Sequence, residues 1–300
     1  MPSEFPLPPR AATAVAALFP PPAVPAAPAA EPGAPALYVG ASGYAYPEWV
    51  EAGFYPPGTK QAQMLPLYLQ QFGAVELNYT WYQMPKADAV ERQRRQTPPA
   101  FRFAAKLTRT LTHEVTADWR KQAAAYREGI APLVEARQLA AVLIQLAPDF
   151  TYTVPSRRYL AALLQALRDL PLAVEFRHVS WAQPRVYTEL ARRRVVLVSV
   201  DAPPLPALFP PTVELTHPDW FYARFHGRNA RGWQSGQAEQ KFHYDYSDAE
   251  LADSLERRIA PLHSQAPTGY VFFNNHYGGL APKNALRFKT LARKFGLQPR

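Results

Sequence analysis

The chain has 300 residues, with 33 Lys+Arg against 24 Asp+Glu and a formal net charge of +9. It contains no cysteine, which excludes disulfides, a thiolate nucleophile and Cys-ligated metal clusters, and 48% hydrophobic residues exclude disorder of the whole chain. No apolar run reaches the ~20 residues of a membrane span. Twenty-five of the cations are Arg, the side chain suited to bidentate contact with carboxylate or phosphate, so an anionic partner is expected and a membrane is not.

Residues 1–36 hold 11 Pro and 12 Ala, and only Glu4, Arg10 and Glu31 are charged. Proline at this density removes amide donors and blocks helix. This segment reads as a disordered Pro/Ala-rich tail, with 37–300 as one folded domain. Arg10 and the apolar 11–19 make a poor secretion signal, because Pro6, Pro8, Pro9 and Glu4 crowd the basic region. A cytoplasmic location follows.

From residue 37 a rhythm repeats: a β-rich run, a loop, then a helical pattern. The runs lie at 37–42, 74–78, 101–106, 141–146, 172–177, 195–201, 221–226 and 270–274. Apolar spacing of three and four marks helices near 61–72, 86–96, 117–137, 156–170, 184–194, 247–264 and 283–295. The segment 202–219 is Pro-rich, so the helix after strand six is weak or missing. Eight β–α units predict an α/β fold, a single (β/α)8 barrel of TIM type. No G-x-G-x-x-G follows the first strand, which weighs against a doubly wound sheet.

Alternation along each strand then assigns faces. One face is apolar, including Val196, Val198 and Val200 of strand six, and is expected against the helices. The other carries Ser42, Glu76, Asn78, Arg102, Lys106, Gln145, Glu175, Arg177, Ser199, Asp201, Tyr222, Arg224, His226 and Asn274. Barrel interiors are normally filled by Val, Ile and Leu, and active sites sit at the C-terminal strand ends, where these polar groups concentrate. Desolvating so many charges is expensive even when they pair. A functional pore is therefore a more economical reading than a structural ion network.

The motifs Gly40-Ala-Ser-Gly-Tyr-Ala-Tyr-Pro-Glu-Trp49, Val75-Glu-Leu-Asn78, Phe101-Arg-Phe-Ala-Ala-Lys106, Gln145-Leu-Ala-Pro148, Val174-Glu-Phe-Arg-His178, Arg224-Phe-His-Gly227, Tyr244-Asp-Tyr246 and Phe273-Asn-Asn275 run in order. Together they resemble the DUF72 (YecE-like) family over about 37–295. The resemblance implies a TIM-type barrel and says little about chemistry. The Ala-Pro at 147–148 stands where that family more often has Pro-Pro, which affects a loop shape only.

The residues allow three chemistries. Glu76 and Glu175 can form an acid–base pair. A divalent metal on carboxylates with His178, His226 or His276 is disfavoured by the cations beside them, so neither a cofactor nor a metal is expected. Lys106, Arg177, Arg224 and His226 can converge on an anion, and Asn274, Asn275, His276 and Lys283 around the Gly278-Gly279 turn can add to it. The favoured reading is a hydrolase or lyase acting on a phosphate-bearing substrate, nucleic acid included. Glu76 or Glu175 serves as base, Lys106, Arg177 and Arg224 stabilise charge, and His226 is proton donor or anion ligand. Ser42, Asn78, Asp201, His178 and Tyr246 complete the expected binding set. A glycosidase or sugar-acid enzyme using Glu76 and Glu175, and a non-catalytic nucleic-acid-binding barrel, remain as alternatives. The aromatic and basic loops, with Trp81, Tyr82, Trp233, Lys241 and Phe242, suit stacked bases and phosphates.

Overall fold

Ser247 begins a helix at Asp248 because its hydroxyl accepts from the Glu250 amide while the Glu250 carboxylate accepts from the Ser247 amide. The same logic places the other helices of the computed structural model, which describes residues 35–300. Thr153 caps Val154–Ala166, and Pro184 opens Pro184–Arg192 at the position where a missing amide costs nothing. Helices Gln61–Tyr68, Ala87–Arg94, Trp119–Glu135 and Leu280–Lys294 also match expectation. The segment expected at 247–264 is continuous through a π-helical turn, Leu255–Ile259. No helix fills 202–219. Instead the Thr216 hydroxyl accepts from the Leu197 amide and donates to the Val195 carbonyl, satisfying strand six from outside. The tail reading for 1–34 lies outside the described residues; the first strand begins at Ala36, one residue before the expected boundary.

Among the described residues nine strand segments form, all pairing in parallel: β1 (Ala36–Ala41), β2 (Ala74–Leu77), β3 (Arg102–Lys106), β4 (Leu139–Gln145), β5 (Leu172–Glu175), β6 (Val196–Leu197), β7 (Ser199–Asp201), β8 (Trp220–Phe225) and β9 (Thr268–Phe273). Where one ring of eight was expected, the ladders give two sheets, β1-β9-β8-β7 and β2-β3-β4-β5-β6. Each break has a local cause. Strand six is interrupted at Val198, whose amide bonds Val174, so β6 pairs with β5 and β7 with β8. At the other seam the Tyr68 hydroxyl stands between β1 and β2. It accepts from the Ala41 amide and donates to the Ala74 carbonyl. A Cβ on Gly40 would lie 2.2 Å from that carbonyl oxygen, so only glycine lets the strands come this close. Above the seam a single bridge joins Ser42 to Glu76, and below it residues 299–300 bond the free edge of β1.

Side chains from both sheets share one interior cluster. Ala74, Ala104, Ala141 and Ala173 of β2–β5 meet Tyr38, Tyr222, Tyr270 and Phe272 of β1, β8 and β9. Large rings against small methyls fill the volume between unequal faces. The outer faces pack on helices in two further clusters, around Phe103, Phe225 and Phe273 and around Ile144, Phe176 and Trp181.

Strand six corrects the sequence reading. Val196, Val198 and Val200 belong to the interior cluster, and Ser199 and Asp201 face outward. The expectation treated polar strand residues as interior. It failed because this strand has polar partners outside it: Ser199 donates to the Thr212 carbonyl, and Asp201 receives Arg228, Arg258 and Tyr246.

Candidate active site

Strand ends β2, β3, β5 and β8 bring Glu76, Lys106, Glu175, Arg177 and Arg224 together. Arg224 is fully buried and bonds two carboxylates with one guanidinium, Glu175 at 2.6 Å and Glu76 at 2.6 Å. Arg177 lies 2.6 Å from the other Glu175 oxygen. Gln145 Oε1 accepts from both arginines, at 3.0 and 3.1 Å, and the Tyr222 hydroxyl donates to Glu76 at 2.7 Å. Burial acts to raise the Glu175 carboxyl, but Arg177, Arg224 and His226 together outweigh it and hold Glu175 ionised, well below the usual carboxylate range.

His226 is buried between Glu175 (3.1 Å from Nε2) and the Asn274 amide (3.0 Å from Nδ1). With an amide donor at Nδ1, the ring carries its proton on Nε2 and donates it to Glu175. Burial, with Arg177 and Arg224, keeps this ring neutral. Asn78 donates to the Ser42 carbonyl and to Asn274, and the Ser42 hydroxyl is 3.5 Å from Arg224, so both line the same centre.

Lys106 differs from its neighbours. Its amine lies 4.8 Å from the centre of the Trp81 ring and has no hydrogen-bond or ion-pair partner among the described residues. Burial and the nearby Arg224 and Arg177 pull the ammonium down to about 7, against Glu76 and Glu175. His113, in the loop after β3, meets Trp81 edge-to-face at 5.0 Å and is lowered to about 4 by burial, Lys106 and Arg177.

Other expected residues fall elsewhere. Asp201 and Tyr246 form an outer network with Arg228 and Arg258. His178 caps the turn Val179–Trp181 through Ser180. Asn275 donates to Asn284 and to the Tyr244 carbonyl, and Lys283 is paired with Asp245. His276 sits at the rim, stacked on Tyr46 at 4.9 Å. Gly278 and Gly279 do adopt positive φ, yet the helix they introduce does not join the charged centre, because Asp245 holds Lys283.

Two groups that the sequence reading left in a general aromatic rim belong to the site. The Trp233 ring lies under Arg177 at 5.3 Å and under Lys241 at 4.0 Å. Lys241 is lowered to about 8, by burial and by Arg177, against Glu175. Alternation predicts that Gln145 and Tyr222 face inward, and the structure adds both to the site. Their signal was strand alternation, and their role depends on partners far apart in sequence.

Three buried donors here lack any acceptor among the described residues: Arg177 Nη1, Trp81 Nε1 and Trp233 Nε1. Among the described residues no group of three or more His, Asp and Glu gathers as a metal site. The arrangement therefore defines a parallel α/β protein with a donor-rich, mostly cationic centre at its strand ends.

The chain belongs to the DUF72 family, "Protein of unknown function DUF72", whose model matches residues 38–299. It is similar to the UPF0759 protein YunF of Bacillus subtilis, 29% identical over 281 residues, covering 88% of this chain and 98% of that protein. It also resembles the UPF0759 protein YecE of Escherichia coli, 35% identical over 78 residues and 26% of each chain. Among solved structures, a DUF72 family protein from Thermotoga maritima aligns with TM-score 0.78 at 35% identity, over 86% of this chain and 99% of that one. Another from Enterococcus faecalis gives 0.77 at 28%, over 86% and 95%.

Proposed function

We propose that the two sheets work as one (β/α)8 barrel whose C-terminal mouth binds a phosphate or other anionic group and cleaves the substrate that bears it, as a hydrolase or lyase. The barrel reading is supported by the covalent continuity of β6 and β7, the Ser42–Glu76 bridge, and the interior cluster common to both sheets. The functional reading is carried by one observation: buried donors on Arg177, Trp81 and Trp233 face no acceptor. Leaving such groups unpaired costs roughly 1–3 kcal/mol each. A ligand rich in acceptor oxygens removes that cost.

Glu175 already takes two arginines and His226, so its role is to hold those groups in place. Glu76 takes one arginine and a neutral hydroxyl, is the less committed of the two carboxylates, and is the general base. Arg177 meets the developing negative charge, and the neutral His226 ring, whose Nε2–H is committed to Glu175, helps to hold that carboxylate in place. The glycosidase alternative needs a carboxylic acid kept protonated, which the arginines around Glu175 oppose.

The first test is calorimetric titration with inorganic phosphate, glyceraldehyde 3-phosphate, a single-stranded oligonucleotide and a neutral sugar. Phosphate-bearing probes are expected to bind, and Arg177→Met to weaken them at least tenfold. Glu76→Gln should abolish turnover of whichever probe is cleaved and keep its binding. Equal binding of the neutral sugar, or unchanged binding in Arg177→Met, would sink the reading.

A further inference from the structure

We propose that Lys106 is an amine nucleophile that forms an imine with the carbonyl of a phosphorylated aldehyde or ketone. The inference rests on the anion-binding reading and names the substrate class. At the strand ends Arg224 is held by two carboxylates, Arg177 is paired with Glu175, and Glu76 is held by Arg224 and Tyr222; Lys241, the other amine of the site, comes from the overlying loop and lies over the Trp233 ring at 4.0 Å. Lys106 has no such partner, lies over the Trp81 ring and is only partly buried. Its backbone is fixed, because the Thr80 hydroxyl bonds the Lys106 carbonyl at 2.6 Å and ties β3 to the turn after β2.

The groups facing it are Glu76 on β2, Glu175 and Arg177 at the end of β5, Arg224 on β8 and His113 in the next loop. In the anion-binding reading the permanent guanidinium charge of Arg177 already meets the anion. A lysine whose ammonium is lowered to about 7 adds little to that and is a much better nucleophile than an ordinary one.

The step balances without an oxidant or reductant. The Nζ lone pair forms the C–N bond as the C=O π pair moves onto oxygen. That oxygen takes up the proton lost from nitrogen and one more from solvent, then leaves as water as the nitrogen lone pair closes the protonated C=N bond. The resulting iminium withdraws electrons from the neighbouring carbon, as lyase chemistry requires.

The experiment traps the imine. Wild type is incubated with glyceraldehyde 3-phosphate, dihydroxyacetone phosphate or unphosphorylated glyceraldehyde in cyanoborohydride, and peptides are mapped by mass. An adduct on Lys106 at least tenfold above that on the exposed Lys60, and larger for the phosphorylated probes, is the expected result. Equal adducts from glyceraldehyde would keep the imine and overturn the anion reading. Phosphate binding without an adduct on Lys106 would overturn the imine alone, and loss of both would overturn both. Lys106→Arg and Lys106→Met, each checked for a native melting transition, should lose the adduct; Lys106→Arg should still bind phosphate. An adduct of undiminished yield in a folded variant would place the nucleophile elsewhere and end the proposal.

Discussion

Arg224 shows how much of this site depends on one side chain. A guanidinium with five donors can hold two carboxylates at once, and a lysine cannot. Removing it leaves Glu76 and Glu175 buried without their shared counter-ion. Arg224→Met should therefore destabilise the fold by about 3–5 kcal/mol in urea titration. Lys106 carries the opposite sign. Its amine is lowered to about 7 in the fold and returns to about 10.4 when unfolded, so between these values the unfolded chain binds more protons. Stability is reduced below about 7, and the penalty is relieved as pH rises through the window. The stability of wild type relative to Lys106→Met should climb between pH 7 and 10, with a slope approaching roughly 1.4 kcal/mol per unit. A flat difference would place Lys106 in ordinary solvent. Glu76, Glu175, Arg177, Arg224 and His226 were legible in the sequence because a charge on the inward face of a strand is costly to bury and must be paired or used. The missing acceptors of Trp81 and Trp233 were not, since an unpaired donor is a property of three-dimensional surroundings.

At the level of elements, strand alternation assigned faces correctly wherever one face was apolar and the other polar. Strand six reads Val195-Val-Leu-Val-Ser-Val-Asp201, apolar on both faces for its first half, so the pattern carried little information. The outward Asp201 nonetheless has a consequence for the site. It binds Arg228 at the start of the 228–246 loop and Tyr246 at its end, while the Tyr246 hydroxyl accepts from the Gly227 amide. The loop that carries Trp233 and Lys241 is thus held at both ends by one carboxylate. Asp201→Asn should speed proteolytic cutting within this loop about tenfold, equivalent to ~1.4 kcal/mol of local stability, and weaken phosphate binding. Unchanged cutting would make the loop's own short helices, Ala230–Gln234 and Ala238–Phe242, its main support.

For the whole molecule, the eight β-rich runs and seven helical segments between them were visible from periodicity alone, and the boundaries of those helices came within a few residues. The division into two sheets was not visible. It depends on a tyrosine hydroxyl and a single valine amide, neither of which changes a hydropathy pattern. Ladder continuity and cluster continuity are separate properties: the hydrogen bonds break at two seams, and the interior of aromatic rings against alanines spans both. The polar residues sit at one end of that interior because the rings of Tyr38, Tyr222, Tyr270 and Phe272 already fill the rest of it.

The edge of β1 below the seam is occupied by the last two residues, with the Arg300 amide bonding the Leu37 carbonyl at 2.8 Å and the Val39 amide bonding the Arg300 carbonyl at 3.2 Å. The bridge between Leu37 and Pro299 is parallel, so residue 300 lies about three residues along β1 from Ala36. At ~3.3 Å per residue a linker of roughly six residues spans that distance with slack. A circular permutant that joins residue 300 to residue 35 and opens at the exposed Gly58, whose Cβ position has nothing within 4 Å, should keep the native near-ultraviolet circular dichroism. Such an architecture can begin at a different β–α unit without rebuilding its core.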